Sequence, residues 1–291
     1  MRSKVARPSF FVAATGLTTL FTVDYWKGDD WLRTSPRQEQ KMLPSYEATF
    51  SVPLSCESCT KEVSKSLSRL PGIETVSFSI PSKLVTTKGT EPPSNIISSI
   101  QSTGRAAVIR GSGKPNSAAV CILETPPPAA HSTRSQPSPV RGLARLIELG
   151  DRITLLDLTL TGMQEGRYRA SIRTSGDISA GKESLGTVFQ GSEGDKTGEL
   201  GELLVDSRGK GSLVGESDWR VHEMIGRGIL VERLDNAQES SIPSSKQWSD
   251  RLALGVIARS AGVWENEKSV CSCTGKTVWE EREAMVRNGM L

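Results

Sequence analysis

Four of the five cysteines in this 291-residue chain form two closely spaced pairs, and thiols at such spacing can do chemistry. Cys56 and Cys59 stand three positions apart in "VPLSCESCTKEV", ahead of a segment with helical periodicity, and Cys271 and Cys273 flank one serine near the carboxyl end. A C-x-x-C pair at a strand-to-helix turn either cycles between dithiol and disulfide or binds a soft metal ion as thiolates. The motif alone leaves both chemistries open.

The surrounding residues narrow the metal chemistry of the first pair. A structural zinc site needs four ligands, and residues 42–110 contain no cysteine or histidine other than Cys56 and Cys59. Two thiolates alone favour Cu(I) over harder ions. We expect Lys61 and the amino end of the following helix to lower the pKa of the thiols, because both favour the anion.

The composition argues against several classes of protein. A net charge of +3 is too small to indicate nucleic-acid binding, and no run approaches the ~18 apolar residues that a membrane span needs. A hydrophobic content of 36% with 24% charged residues is typical of globular domains. A secreted disulfide scaffold carries more cysteines, more evenly spread, so the paired thiols favour a reducing compartment such as the cytoplasm.

Residues 1–45 form an amino-terminal extension of different composition. The stretch "MRSKVARPSFFVAATGLTTLFTV" has basic residues and no acid before Asp24. This pattern suits a mitochondrial presequence, and a basic start before an apolar stretch also resembles a secretory signal. A disordered extension upstream of a start at Met42 is the third interpretation, and the composition does not decide among them.

Residues 46–111 predict alternating strands and helices. "YEATFSVPL" alternates as a strand does, and Val63 and Leu67 lie on one stripe of the helix that follows. A hairpin around residues 81–82, a second helix with Pro at its start and Gly104 just past its end, and a last strand complete the segment. The order β-α-β-β-α-β predicts a ferredoxin-like domain.

Residues 118–264 predict an all-β domain, so the fold class of the chain is α+β. Turn signals separate seven runs with strand character, and no helix is predicted between them: "AAVCILE", "VRGLARLIEL", "RITLLDLTLTG", "GRYRASIRTSG", "GELLVDSRGKGSLVG", "HEMIGRGILVERL" and "RLALGVIARSAG". Such a series indicates an antiparallel sandwich or barrel. Residues 111–117 are a linker before this domain, residues 124–139 a Pro-rich exposed loop within it, and residues 265–291 a tail after it.

The segment around the first thiol pair resembles the heavy-metal-associated domain, whose usual loop is Met-x-Cys-x-x-Cys. Leu54 stands where that Met normally lies. In that family the Met supports the loop from the apolar side and is not normally a copper ligand, so Leu is expected to preserve the packing. The resemblance implies that Cys56 and Cys59 bind Cu(I).

The all-β domain resembles the Greek-key barrel of copper/zinc superoxide dismutase, most clearly in "GELGELLVDSRGKGSL", "MIGRGILVE" and "RLALGVIARSAG". That enzyme holds copper and zinc with six histidines and an aspartate. By the resemblance Glu199 stands at the aspartate position, and histidine positions fall at or near Ser171, Arg173, Val188, Lys196 and Glu232. Neither dismutase activity nor zinc binding is therefore expected.

Three other residues of the all-β domain are expected to have no role in metal or redox chemistry. His222 does not match a ligand, and we expect it to be structural or exposed. Arg251 matches the arginine that guides superoxide, but without copper it has no redox role, and an ordinary structural role is expected. Leu254 replaces one cysteine of the enzyme's intramolecular disulfide.

The last strand of the barrel is the expected docking element. In the enzyme family the strand equivalent to "GVIARS" lies at the two-fold subunit interface. Isologous interfaces are self-complementary, so a close copy of the subunit can replace one partner. The resemblance therefore predicts docking on dismutase by five consecutive residues, whose apolar members also suit a buried strand: Gly255, Val256, Ile257, Ala258 and Arg259.

Three features together resemble the copper chaperones for superoxide dismutase, over about residues 46–284. They are the heavy-metal-associated domain, the dismutase-like barrel without its metal ligands, and the C-terminal Cys-x-Cys pair. The resemblance implies a metallochaperone that delivers Cu(I) to copper/zinc superoxide dismutase in a heterodimer. It also implies that Cys271 and Cys273 bind copper and form the client's disulfide by thiol–disulfide exchange. A homodimer is the alternative to the heterodimer, and the mitochondrial intermembrane space is the alternative to the cytoplasm. A catalytic dismutase with a fused copper-binding domain and a general copper-detoxification protein are the alternative functions.

Overall fold

A computed structural model describes most of both predicted domains, namely residues 43–125, 140–191, 196–234, 251–263, 265, 276–277 and 280. The amino-terminal extension, nearly all of the Pro-rich loop and the tail pair Cys271 and Cys273 lie outside the described residues. In the described part of the chain, no helix is both long and apolar enough to cross a membrane.

The first domain has the predicted β-α-β-β-α-β order, and its antiparallel sheet has the strand order β2-β3-β1-β4. The fold prediction for this segment is therefore confirmed. The last strand continues one residue further than expected, so the linker to the second domain is residues 113–117. The elements are β1 (Tyr46–Ser51), α1 (Glu57–Leu67), β2 (Ile73–Ser79), β3 (Leu84–Gly89), α2 (Pro93–Gln101) and β4 (Val108–Ser112).

Two amphipathic helices cover one face of this sheet. In α1 the buried residues Cys59, Val63 and Leu67 recur every four positions, as one face of a helix requires. Pro93 begins α2, where a missing N–H costs nothing, and Gly104 follows its end with a φ of 78°. Both helices pack on the inward-facing side chains of β1 and β3, which form one apolar core.

The second domain is a closed antiparallel barrel with the strand order β10-β7-β6-β5-β12-β11-β8-β9, which confirms the all-β prediction. A single core of aliphatic and aromatic side chains fills it. Its elements are β5 (Ala118–Glu124), β6 (Val140–Gly150), β7 (Ile153–Leu160), β8 (Gly166–Ile172), a 3-10 turn (Glu183–Leu185), β9 (Glu199–Val205), β10 (Gly211–Ser217), α3 (Val221–Met224), β11 (Gly228–Arg233) and β12 (Leu252–Arg259).

Two of the seven predicted runs differ in the structure. The fifth run is a hairpin of two strands, β9 and β10, because Asp206 Oδ1 accepts hydrogen bonds from the backbone N–H groups of Arg208 and Lys210 and Gly209 adopts a φ of 75°. The sixth run begins with the helix α3 in place of a strand. There the Glu223 carboxylate accepts the backbone N–H of Arg220 at 2.8 Å, which caps a single helical turn.

A buried ion pair joins the two domains. Asp157 of β7 is fully buried, and its Oδ2 accepts the backbone N–H of Ser94 in the first turn of α2 at 2.8 Å. The same oxygen lies 3.3 Å from Nη1 of Arg145 on β6. Ile147 and Leu155 from these two strands extend the core of the first domain. Because the carboxylate bonds a free N–H at the start of a helix, it connects α2 to the barrel by charge as well as by shape.

We expect Asp157→Ala to lower the free energy of unfolding by about 3–5 kcal/mol, because it leaves the Arg145 guanidinium buried without its partner. Urea unfolding measures this. The matched control is Glu216→Ala, which removes an exposed carboxylate from β10 and should change stability by less than ~0.5 kcal/mol. The double replacement Arg145→Met with Asp157→Leu should recover most of the loss. A loss for Asp157→Ala no larger than that of the control contradicts the assignment.

Candidate metal centre

The loop between β1 and α1 presents the first thiol pair from a pinned backbone. Val52 donates its backbone N–H to the carbonyl of Lys83 at 2.9 Å, and Leu54 donates to the carbonyl of Val52 at 2.8 Å. The Leu54 side chain is buried in the core of the first domain, as expected from its position in the motif. Cys56 is the extended residue before the helix, with a φ of −158°, and Cys59 lies in the first helical turn.

The two thiols of this loop point toward each other. Their Sγ atoms are 3.4 Å apart, whereas a disulfide bond measures about 2.05 Å, so both are free thiols. Cys56 is exposed and Cys59 is buried. Ser58 Oγ lies 3.0 Å from Cys56 Sγ, and Ser55 Oγ lies 3.4 Å from Cys59 Sγ. Two convergent sulfur atoms, one of them open to solvent, can hold one soft ion between them.

The environment of Cys59 favours its thiolate. Its pKa is lowered to about 6, first by the hydroxyl of Ser55, then by the Ser55 backbone N–H, and next by the guanidinium of Arg105. At this pKa roughly 90% of the sulfur is ionised at pH 7. Arg105 is itself held in place, since its Nη1 lies 2.8 Å from a carboxylate oxygen of Glu62 and 3.1 Å from the carbonyl of Thr103. The surroundings of the buried sulfur therefore favour the form of the thiol that can bind a soft metal ion.

The basic residue that faces the thiols is Arg105, not the expected Lys61. Lys61 is exposed on α1 and is not among the groups that lower the pKa of Cys59. Arg105 follows α2 directly after Gly104, and only packing of the loop after α2 against the thiol loop brings it to Cys59. In the sequence, the signal for this role was a basic residue directly after the glycine that follows the second helix.

The barrel positions that match the enzyme's metal ligands hold no convergent donor set. Arg173 donates to the carbonyl of Gly186, and Lys196 forms an ion pair with Glu223 at 3.4 Å. Glu232 is paired with Lys182. Within the described ranges, no three residues of the types His, Cys, Asp and Glu lie close enough to hold a metal ion. Two cations at ligand positions do not fit copper or zinc.

The other three residues compared with the enzyme, Arg251, His222 and Leu254, have ordinary structural surroundings. Arg251 is buried and donates from Nε to the side-chain oxygen of Gln164 at 2.9 Å. His222 is exposed on α3. Leu254 is buried in a small apolar cluster with Leu185.

The five expected docking residues on β12 divide between the two faces of the strand. Val256, Ala258 and Arg259 are exposed, whereas Gly255 and Ile257 are buried. A Cβ on Gly255 would lie 1.9 Å from a backbone oxygen of β5, so this glycine permits the close strand pairing. Gly255 and Ile257 face inward and Val256 and Ala258 outward, because neighbouring positions of a strand face opposite sides. Arg259 shares the side of Ile257 but is exposed, because it is the last residue of the strand.

An exposed apolar residue that the sequence analysis did not predict, Ile122 of β5, lies beside the predicted residue Val256. The registers of Leu254 with Glu124 and of Ile257 with Cys121 place Val256 opposite Ile122 of β5. Ile122 is 52% exposed and Val256 is 36% exposed. We call these two residues the outer apolar pair. Strand register, which the sequence pattern did not provide, brings them together.

The source of the low pKa can be tested by measuring iodoacetamide alkylation of Cys59 against pH, with the labelled peptide identified by mass spectrometry. Arg105→Gln and Ser55→Ala should each raise the midpoint above about 6, because each removes a group that stabilises the thiolate. Lys61→Gln is the matched control and should leave the midpoint unchanged. Cys121 will not compete, since burial raises its pKa to about 12. A shift for Lys61→Gln without one for Arg105→Gln contradicts the assignment.

Comparison with known proteins adds to this geometry. Residues 49–106 match the heavy-metal-associated domain family. The superoxide dismutase 1 copper chaperone of Debaryomyces hansenii is 41% identical over 264 residues, covering 86% of this chain and 99% of that protein. The protein of the same name from Saccharomyces cerevisiae is 41% identical over 251 residues, covering 84% and 98%. The copper chaperone for superoxide dismutase of Homo sapiens is 31% identical over 251 residues, covering 80% and 88%. This chain belongs to the family of copper chaperones for superoxide dismutase.

Proposed function

We propose that this chain binds one Cu(I) ion between Cys56 and Cys59 and delivers it to copper-free copper/zinc superoxide dismutase. The observation that carries the proposal is the convergence of two free thiols at 3.4 Å, beside groups that lower the pKa of Cys59. Relatives over most of the chain bear the name of copper chaperones for this enzyme. Two soft thiolates and no hard ligand select Cu(I) among the common ions.

The asymmetry of the thiol pair supports both retention and release of the ion. Cu(I) bound by two thiolates carries a net negative charge, and the Arg105 guanidinium beside Cys59 offsets it. Cys59 is buried and hydrogen-bonded, so it retains the ion. Cys56 is exposed, so an incoming thiolate or imidazole of the client can replace it first. Transfer then proceeds by successive ligand exchange, without free copper.

The outer apolar pair, Ile122 and Val256, is proposed to dock on the client with Ala258 and Arg259. Ile122, Val256 and Ala258 lie on the outside of β5 and β12, and Arg259 is exposed at the end of β12. Gly255 and Ile257 support the strand from the core side and touch the client only through the backbone. An isologous surface of this kind accepts a dismutase subunit to form a heterodimer, and a second copy of this chain when the client is absent.

Cys271 and Cys273 are proposed to bind copper during the transfer and to form the client's disulfide. The two thiols bind copper in their reduced form. After the ion has left, molecular oxygen oxidises them to a disulfide and takes up their two electrons and two protons, becoming hydrogen peroxide. A client thiolate attacks one tail sulfur, the tail S–S bond breaks, and a mixed disulfide forms. The second client thiolate then releases the tail, which leaves reduced while the client becomes oxidised. The barrel is proposed to bind no zinc during these steps. The proposed compartment is the cytoplasm, and the mitochondrial intermembrane space is the alternative.

The central test is maturation of copper-free, disulfide-reduced dismutase by the Cu(I)-loaded full chain, followed by copper content, client disulfide and dismutase activity. Cys56→Ser with Cys59→Ser should abolish Cu(I) uptake at the first pair, because no soft ligand remains there. Cys271→Ser with Cys273→Ser should keep that uptake and lose client disulfide formation. Cys121→Ser is the control, because this thiol is buried in the barrel and should not contribute.

Two results would contradict the division between the thiol pairs. Full Cu(I) binding by the Cys56→Ser, Cys59→Ser chain, measured by competition with a chromogenic Cu(I) chelator, would remove the first pair as the uptake site. Unchanged client oxidation by the tail variant would remove the tail from the sulfur chemistry.

We expect Val256→Asp to weaken binding to copper-free dismutase at least tenfold, because a charge would be buried against an apolar partner surface. Isothermal titration calorimetry measures the affinity. Val214→Asp is the matched control, since Val214 is 45% exposed on β10, outside the outer apolar pair. Ile257→Asp should instead lower the melting temperature, because Ile257 lies in the barrel core. Equal affinities for Val256→Asp and Val214→Asp would show that another face docks.

A further inference from the structure

Two aromatic rings and two cations form a stack in the barrel, beside the connection from β8 to β9. Phe189 and Trp219 stack with their ring centroids 4.1 Å apart. The Arg227 guanidinium carbon lies 3.4 Å from the centroid of Phe189, and Lys196 Nζ lies 5.0 Å from the centroid of Trp219. We call these four residues the aromatic clamp. Each cation faces a ring that attracts it electrostatically.

Polar contacts connect both ends of the aromatic clamp through Glu223. Lys196 Nζ lies 3.4 Å from the Glu223 carboxylate, and Arg227 Nε donates to the Glu223 carbonyl at 2.8 Å. The Trp219 indole N–H donates to the carbonyl of Thr197 at 2.9 Å, and Arg227 Nη1 donates to the carbonyl of Thr174 at 2.9 Å. The aromatic clamp therefore holds the beginning and the end of the β8–β9 connection.

The aromatic clamp occupies the region where the enzyme's ligands are expected by resemblance. Lys196 lies near one histidine position, and Phe189 follows another, Val188. A connection of this length without a regular strand needs contacts of its own to be ordered. Here the donors do not fit a metal ion, because Lys196 and Arg173 bring positive charge to the positions that would bind it. The aromatic clamp provides contacts that can order the β8–β9 connection without a metal ion.

The Arg227 end of the aromatic clamp borders the proposed docking strand. The backbone N–H of Gly226 donates to the carbonyl of Ile257 at 2.9 Å, and the N–H of Ile257 donates to the carbonyl of Arg227 at 2.8 Å. On the other side, a Cβ on Gly176 would lie 3.2 Å from Cγ1 of Val256. The start of the β8–β9 connection thus lies next to Val256, one residue of the outer apolar pair.

We propose that Lys196 is a positioning residue: through the aromatic clamp it orders the β8–β9 connection against β12 without a metal ion, and so prepares the docking surface. The docking step rests on the proposed function, whereas the ordering step does not. The barrel is then competent to bind its client in the complete absence of zinc, before any metal has been transferred.

The test compares Lys196→Met, Lys196→Arg and Lys182→Met in the full chain. Hydrogen–deuterium exchange reports order in residues 173–191 and 196–198, and calorimetry reports affinity for copper-free dismutase, each with and without EDTA. Lys196→Met should raise exchange in this connection and weaken binding about fivefold to tenfold, since it removes a cation–ring contact and a partly buried ion pair. Lys196→Arg should restore both values, because it returns the cation. Lys182→Met removes a more exposed lysine of the same connection and should change neither value.

Three outcomes would overturn the proposal. Unchanged exchange in Lys196→Met removes the ordering role, and faster exchange in the original chain after EDTA treatment assigns that role to a metal ion. Faster exchange in Lys196→Met with unchanged affinity for dismutase would show that this order does not affect docking, and the proposed docking surface would not be contradicted. If the unsubstituted chain does not bind dismutase, the proposed function fails, and the exchange data still decide the ordering role.

Discussion

The candidate metal centre depends on the burial of Leu54 and Cys59 in the core of the first domain. Their burial holds the ends of a short loop, so the backbone between them cannot move freely. Cys56 is thereby kept 3.4 Å from the buried sulfur while it stays open to solvent. The same packing brings α2, and with it Arg105, to the thiol loop. A hydrophobic contact thus sets the electrostatics of a polar site.

The exposed surface of the barrel is set by the same kind of constraint. Its closed strand ladder fixes which residues of β12 face outward, and so creates the outer apolar pair Ile122 and Val256. The positions that would hold metal ions in a dismutase carry ion pairs and cation–ring contacts in this chain. At these positions charged side chains of opposite sign pair with each other, Lys196 with Glu223 and Lys182 with Glu232. Asp157 then joins the barrel to the metal-binding domain at the start of α2.

Periodicity and turn residues were sufficient to predict the fold of the first domain and the all-β class of the second, whereas the barrel was implied by the family resemblance. The helix boundaries followed from Pro93 and Gly104, whose effects on the backbone are local. The two wrong runs were decided by local hydrogen bonds of Asp206 and Glu223, which alternation of apolar residues does not report. The thiol pair was also visible from its spacing. Its charge partner was not, because Arg105 is distant from Cys59 in the chain and close to it only in the folded domain.

The sequence by itself determined the residue types that permit copper chemistry, two paired thiols and a barrel without its histidines, since ligand chemistry is a property of the side chain. It also determined the order of strands and helices in the first domain, because their periodicity is local. Only the tertiary structure decided which thiol is buried, which cation lowers its pKa, and which side chains of β12 are free to dock. These properties depend on register and on packing between distant segments, and a single linear pattern carries neither.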